Sequence, residues 1–204
     1  MPESTRPSTR RYLKGEQTRD QIVQAAKQLF TERGYHNTSI YDLFDKSGIS
    51  KGAFYHHWKT KEDLAFTILE EIKKAYEARI YSILENEARA RDQIERVLQT
   101  ISELNADPNW HYCKLMAILS TELDANDEGL GAAVHALREQ WRKFWQKLLS
   151  RAQQQGDLRA DIPAAQMSFL VTSTLCGVYL VGRKEDGQGE RNQALGTLRK
   201  LLFT

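Results

Sequence analysis

The chain is poor in cysteine: Cys113 and Cys176 are its two members in 204 residues. Too few and too far apart for a disulfide framework or a cysteine-rich zinc site, both thiols are expected to be reduced. No apolar run approaches the roughly 18 residues of a membrane span, and Met1-Pro2-Glu3-Ser4-Thr5-Arg6 lacks the apolar stretch of a secretion signal. A cytoplasmic location without membrane contact is therefore expected. Also missing are β-type alternation, an internal repeat, a glycine-rich phosphate loop, a metal-ligand cluster and a nucleophile elbow. These absences point to an all-α protein with no catalytic residues, metal or cofactor. The adjacent His56-His57 pair does not alter this, since neighbours on one helix rarely chelate and no third ligand stands nearby.

Charge is ordinary in total but uneven in place. Residues 1–61 hold eleven Lys and Arg against six Asp and Glu, whereas residues 62–204 hold eighteen against twenty-one. A basic first segment on a mildly acidic body is the pattern of a phosphate-binding module. Residues 1–14, with Pro2, Pro7, Arg6, Arg10, Arg11 and Lys14 among small hydroxyls, read as a flexible basic arm. Such an arm either adds to phosphate attraction or stays disordered.

Beyond the arm, Ile22, Ala26, Leu29 and Phe30 recur at helical spacing between Asp20 and Arg33, and Gly34 is placed to end that helix. Thr38-Ser39 offers an N-cap ahead of Ile40, Leu43 and Phe44, a second short helix. In Ser47-Gly48-Ile49-Ser50, Gly48 suits a tight turn and Ser50 can cap a third helix. From Lys51 to Trp58, Phe54 and Trp58 form an inward pair four residues apart. Gly52 and Ala53 keep the opposite surface low, and Lys51, Tyr55 and His56 offer donors to phosphates and base edges. Thr60 and Asp63 have capping-box spacing, so a fourth helix follows at once. Helix, Ser-Gly turn and helix between Thr38 and Trp58 make a helix-turn-helix whose second helix would enter the major groove.

The run Gly48-Ile49-Ser50-Lys51-Gly52-Ala53-Phe54-Tyr55-His56-His57-Trp58-Lys59-Thr60-Lys61-Glu62-Asp63-Leu64 closely resembles the DNA-binding domain of the tetracycline-repressor (TetR) family, and the likeness extends over residues 18–69. The resemblance implies a helix-turn-helix domain at residues 15–62 and a helical effector-binding and dimerisation domain at residues 63–204. It further implies Thr38, Tyr55 and Lys59 at phosphates, beside Ser39, and Ser50, Lys51, Gly52, Ala53 and His56 facing the groove, with charge nearby on Lys14 and Arg19. The implied partner is double-stranded DNA carrying a palindromic operator.

The body reads as helical throughout: a long helix from Leu64 to Leu84, then Asp92 to Asn105, a break at Asp107-Pro108-Asn109, and Trp110 to Leu123. A turn at 126–131 precedes Ala132 to Gln155, whose stripe contains Val134, Leu137, Trp141, Phe144, Trp145 and Leu148; Gly156 ends it, and Pro163 starts the next helix. Ala164 to Val181 is apolar around much of its circumference, with Gly177 and small hydroxyls permitting close helix approach, and Asn192 to Phe203 adds an amphipathic helix. By resemblance, helices 164–182 and 192–203 pair with those of a second subunit in a homodimer.

Aromatic residues concentrate where the family binds small-molecule effectors. Trp110, Tyr112, Cys113, Met116, Trp141 and Trp145 are the candidate contacts, with His111, Glu122 and His135 as polar points, although plain core packing explains such residues equally well. Cys113 beside Lys114 leaves open a thiol-based electrophile sensor, and a ligand-independent DNA-binding protein or activator is a further alternative. The reading preferred on sequence is a repressor released from its operator by an effector.

Overall fold

The computed structural model describes residues 9–85, 89–106, 112–124, 126, 128–181 and 187–203. Among these the chain is helical: α1 (Thr9–Arg33), α2 (Ile40–Ser47), α3 (Lys51–His57), α4 (Lys61–Arg79), a 3-10 turn at Tyr81–Glu85, α5 (Ala90–Ala106), α6 (Tyr112–Glu122), α7 (Leu130–Gln154), α8 (Ala164–Val181) and α9 (Gly187–Phe203). They form two compact units that divide between Ile68 and Leu69, a point inside α4.

In the first unit each short helix is bounded by side-chain chemistry. Ser39 and Asp42 form a reciprocal capping box at the start of α2: the Asp42 N–H donates to Ser39 Oγ (3.2 Å) and the Ser39 N–H to the Asp42 carboxylate (2.7 Å). Gly48 ends α2 in the left-handed conformation (φ 67°), its N–H donating to the Phe44 carbonyl at 2.9 Å. Thr60 and Asp63 repeat the box before α4, at 3.0 and 2.9 Å. The core is Ile22, Ala26, Leu29 and Phe30 from α1, Leu43 from α2, Phe54 and Trp58 from and after α3, and Leu64, Ala65 and Ile68 from α4.

Two sequence expectations change. Residues 9–14, assigned to the flexible arm, begin α1; no proline lies between Pro7 and the end of α1, and Arg, Leu and Lys are good helix formers that extend a helix already anchored by its buried face. Residues 1–8 lie outside the described residues. The second change concerns α8, eighteen residues without a charged side chain and with mean hydropathy 1.5, long and apolar enough by those measures to cross a membrane. Its composition has another cause: Met167, Ser168, Val171, Thr172 and Leu175 are buried against neighbouring helices, so α8 is a core helix of the second unit on that side.

The second unit packs α7 against α8 and α5, α6 against α7 and α8, and α9 against α5 and α8. Trp145, Leu148 and Leu149 of α7 join Ile94, Val97 and Leu98 of α5 and Val171 of α8 in one core with Leu195, Leu198 and Leu202 of α9. Among the described residues no atom of another element lies within 4 Å of where a Cβ would stand at Gly177, so none of them makes the close helix approach that this glycine permits. The outer side of α8 and α9 leaves Phe169 (67 %), Val181 (86 %) and Leu201 (59 %) exposed.

Gly48 supplies a test of the turn. A methyl group there meets open space but must adopt positive φ, so Gly48→Ala is expected to lower stability by about 1 kcal/mol through backbone strain alone, read as a shifted urea midpoint with unchanged slope.

Candidate nucleic-acid interface and ligand chamber

A helix of seven residues presents a surface only if its other side is fixed. In α3, Phe54 is fully buried, with ring centroids 5.7 Å from Phe44 and 5.8 Å from Trp58. The Trp58 indole N–H donates to Thr67 Oγ1 at 2.8 Å, tying the C-terminal end of α3 to α4. Ser50 Oγ accepts the Ala53 N–H at 3.3 Å and caps the other end. Held this way, α3 exposes Lys51, Gly52, Tyr55 and His56, with Ala53 half-buried. Lys51 Nζ lies 5.9 Å from the Tyr55 ring centroid, and nothing approaches the Cβ position of Gly52. Lys59 and Ser39 are exposed beside this face.

Thr38 is the exception among the expected DNA-facing residues. It is fully buried and its hydroxyl donates to the Gly34 carbonyl at 2.7 Å, so that hydroxyl is spent inside the α1–α2 turn rather than offered to a phosphate. The sequence could not show this, because a Ser or Thr before a helix serves as cap, contact or turn brace according to the path of the chain. The cap itself is Ser39.

Lys61, passed over as a site residue, organises the same corner. Its ammonium donates to the carbonyls of Tyr35 and Thr38, both at 2.8 Å, and lies 4.2 Å from the Tyr35 ring centroid. Tyr41 also went unnoticed; it is 70 % exposed, because it stands about 200° around the helix from the buried Leu43, two residues on. That angular offset was the available signal. His57 is half-buried, and burial, with His56 and Arg19 nearby, pushes its pKa down, whereas His56 is exposed.

In the second unit, a partly open chamber of about 50 Å³ is lined by Tyr76, Tyr81, Cys113, Met116, Trp141, Cys176 and Tyr179, among others. Of the candidate effector contacts, Cys113, Met116 and Trp141 are on its wall. Tyr112 is not, and Trp145 is a fully buried core residue standing edge-on to Trp141 at 5.7 Å. Trp110 and His111 lie outside the described residues, as does the break at 107–109. Tyr76 Oη lies 3.1 Å from Cys113 Sγ, and Trp141 stacks on Phe144 at 5.0 Å. The two cysteines, far apart in sequence, face one space. Burial raises the Cys176 thiol pKa, and burial with the Cys113 contact raises that of the Tyr76 hydroxyl, so both are neutral near pH 7.

A wider groove of about 590 Å³ shares Ser120, Arg138 and Cys176 with the chamber and adds Glu139, Arg142, Thr172 and Ser173. Glu139 is taken up by Arg142, which donates from Nε at 3.0 Å and Nη2 at 2.8 Å.

Residues 22–68 match the family described as bacterial regulatory proteins of the tetR family, and residues 90–194, more than half of the chain, match the tetracyclin repressor-like C-terminal domain. The chain belongs to the TetR family. It is a DNA-binding transcriptional regulator. The HTH-type transcriptional repressor DhaR of Mycobacterium sp. (strain GP1) is 26 % identical over 161 residues, covering 76 % of this chain and 77 % of DhaR. A TetR-family regulator from Agrobacterium tumefaciens superposes with TM-score 0.81 at 21 % identity, covering 93 % of this chain and 100 % of that one. AibR, solved in complex with isovaleryl coenzyme A and operator DNA, superposes with TM-score 0.75 at 23 % identity, covering 91 % and 98 %.

For this TetR-family protein the Lys61 clamp is directly testable. Lys61→Met keeps the aliphatic stem but strands two carbonyls, and is expected to destabilise the first unit by about 2–3 kcal/mol, seen as a lowered denaturant midpoint. Lys61→Arg, able to donate but differently shaped, is expected to lose less.

Proposed function

We propose that this regulator is a homodimeric repressor that binds a palindromic operator through α3 and leaves it when a small molecule occupies the second unit. The observation that carries the DNA half is the exposed face of α3, where Lys51, Gly52, Tyr55 and His56 stand outward while Phe54 and Trp58 are buried. Lys51 and Lys59 neutralise phosphates, Tyr55 and Ser39 donate to the backbone, and Gly52 with Ala53 allows close approach to base edges that Lys51 and His56 read. Ser50 faces the groove as well, as cap and donor. Tyr41 and Arg19 border the surface. The reading places the protein in the cytoplasm and assigns it no catalytic step.

Two α3 helices are needed to read both half-sites of a palindrome. The apolar outer side of α8 and α9, with Phe169, Leu170 and Leu201 exposed and Gly177 open to a close neighbour, supports a second copy of the chain as the covering partner. AibR, solved with a ligand and operator DNA, supports the effector half. Tyr76 of the chamber wall belongs to α4, the helix that begins at Lys61 beside the α1–α2 turn. A ligand that prefers the arrangement of α4 found off DNA shifts the population away from operator binding.

Selection of bound duplexes from a random pool tests the reading. The expected outcome is a palindromic motif whose affinity falls steeply with salt; no enrichment would defeat it. On that motif, Lys51→Ala is expected to reduce the salt slope by about two, one for each half-site, and Tyr55→Phe to weaken binding by about 2 kcal/mol, about 1 for each half-site. Gly52→Ala separates contact from fold: stability stays the same or rises by up to about 1 kcal/mol, because the methyl meets open space in a helix, while operator affinity falls.

A further inference from the structure

We infer that the effector is a small amphipathic anion, with a compact apolar group in the chamber and its oxyanion on Arg138. The inference rests on the ligand-responsive reading above and names the chemistry of that site. Size comes first: about 50 Å³ admits an apolar group of about four heavy atoms, and the remainder of the molecule must extend into the adjoining groove of about 590 Å³. Arg138 borders both spaces and stands where such a molecule would pass from one to the other.

Charge decides the sign of the ligand. The chamber wall carries one guanidinium, that of Arg138, and no carboxylate among the described residues. In the groove the acid is Glu139, and its oxygens are already held by Arg142. Arg138 itself donates to His135 Nδ1 at 3.0 Å, which requires a ring nitrogen without a proton, and a guanidinium has further donors beyond that bond. A cation would meet the Arg138 charge beside a wall without a carboxylate among the described residues, the nearby Glu139 being already bound to Arg142, whereas an oxyanion gains a charge-assisted hydrogen bond there.

A second polar group points the same way. The Tyr179 hydroxyl is buried on the chamber wall, with the weakly accepting Cys113 thiol beside it and no hydrogen bond to an oxygen or nitrogen among the described residues. A buried hydroxyl that keeps its proton is a donor in search of an acceptor. A carbonyl or ester oxygen next to the apolar group supplies one.

Four probes sharing a butyl group isolate these terms: pentanoate, n-butyl phosphate, 1-butanol and n-butylamine, titrated into the full-length protein and followed by tryptophan fluorescence and melting temperature. At least one of the two anions is expected to bind about tenfold or more tightly than the alcohol and the amine, and which anion wins separates a carboxylate from a phosphate effector. Arg138→Gln is expected to remove that advantage and leave 1-butanol binding unchanged. Tyr179→Phe is expected to weaken pentanoate several-fold. Should Arg138→Gln fail to fold, Arg138→Lys is expected to retain the preference for anions over butylamine at lower affinity. Butylamine binding as well as the anions, no binding of either anion at millimolar concentration, or unchanged anion affinity in the folded Arg138→Gln protein would overturn the inference. The selected operator duplex, titrated in the same samples, keeps the two proposals apart. Anion binding that follows Arg138 without any operator binding supports the chamber assignment and sinks the regulator reading. Operator binding with no anion preference does the reverse.

Discussion

Burial of Phe54 and Trp58 is the constraint on which the DNA-facing surface depends. A seven-residue helix has no independent stability, so α3 takes its position entirely from what its inner side touches. Phe54 contacts Phe44, and Trp58 adds a directional hydrogen bond to Thr67, so both the rotation and the tilt of the helix are restrained. Once those two side chains are inside, a period of 3.6 residues leaves Lys51, Gly52, Tyr55 and His56 outside. The contact surface is the complement of the packing surface.

The turns around α3 serve the same end. Gly48 reverses the chain at positive φ, Ser50 restarts it, and Lys61 binds two carbonyls of the preceding turn with one ammonium. Polar groups that would be costly if buried unpaired are instead bonded inside this corner, which makes it stiff as well as stable. Stiffness matters for recognition, because donors held in place before binding lose less entropy on reaching their acceptors.

The second unit follows a different logic. Its aromatic residues do two jobs with one kind of side chain: Trp145 fills the core, while Trp141, four residues back along α7, lines the chamber. The residues with hydroxyl, thiol and guanidinium groups that line the same space come from α4, the 3-10 turn, α6, α7 and α8, so five elements must assemble before the site exists. α8 is apolar enough to resemble a membrane helix because it contributes to the core, to the chamber and to an exposed outer side at once.

Local rules, acting over one to four residues, made much of this protein legible in its sequence. The helical class, the N-cap at Thr38-Ser39, the Thr60 capping box, the glycine turn, the inward pair and the outward face of α3 all follow from spacing and residue type alone. The start of α1 is not legible because a polar, arginine-rich composition fits both an arm and the first turns of a helix anchored further on. Thr38 turns its hydroxyl to a carbonyl four residues back, a choice governed by how the chain turns. Lys61 reaches carbonyls 23 and 26 residues away, and Cys113 and Cys176 meet across a chamber, relations that no periodicity encodes. The sequence by itself determined which residues each helix turns inward; tertiary packing alone decided which polar groups are spent inside, which remain open to a partner, and which distant residues share a cavity, because those outcomes depend on contacts between elements rather than on the geometry of any one of them.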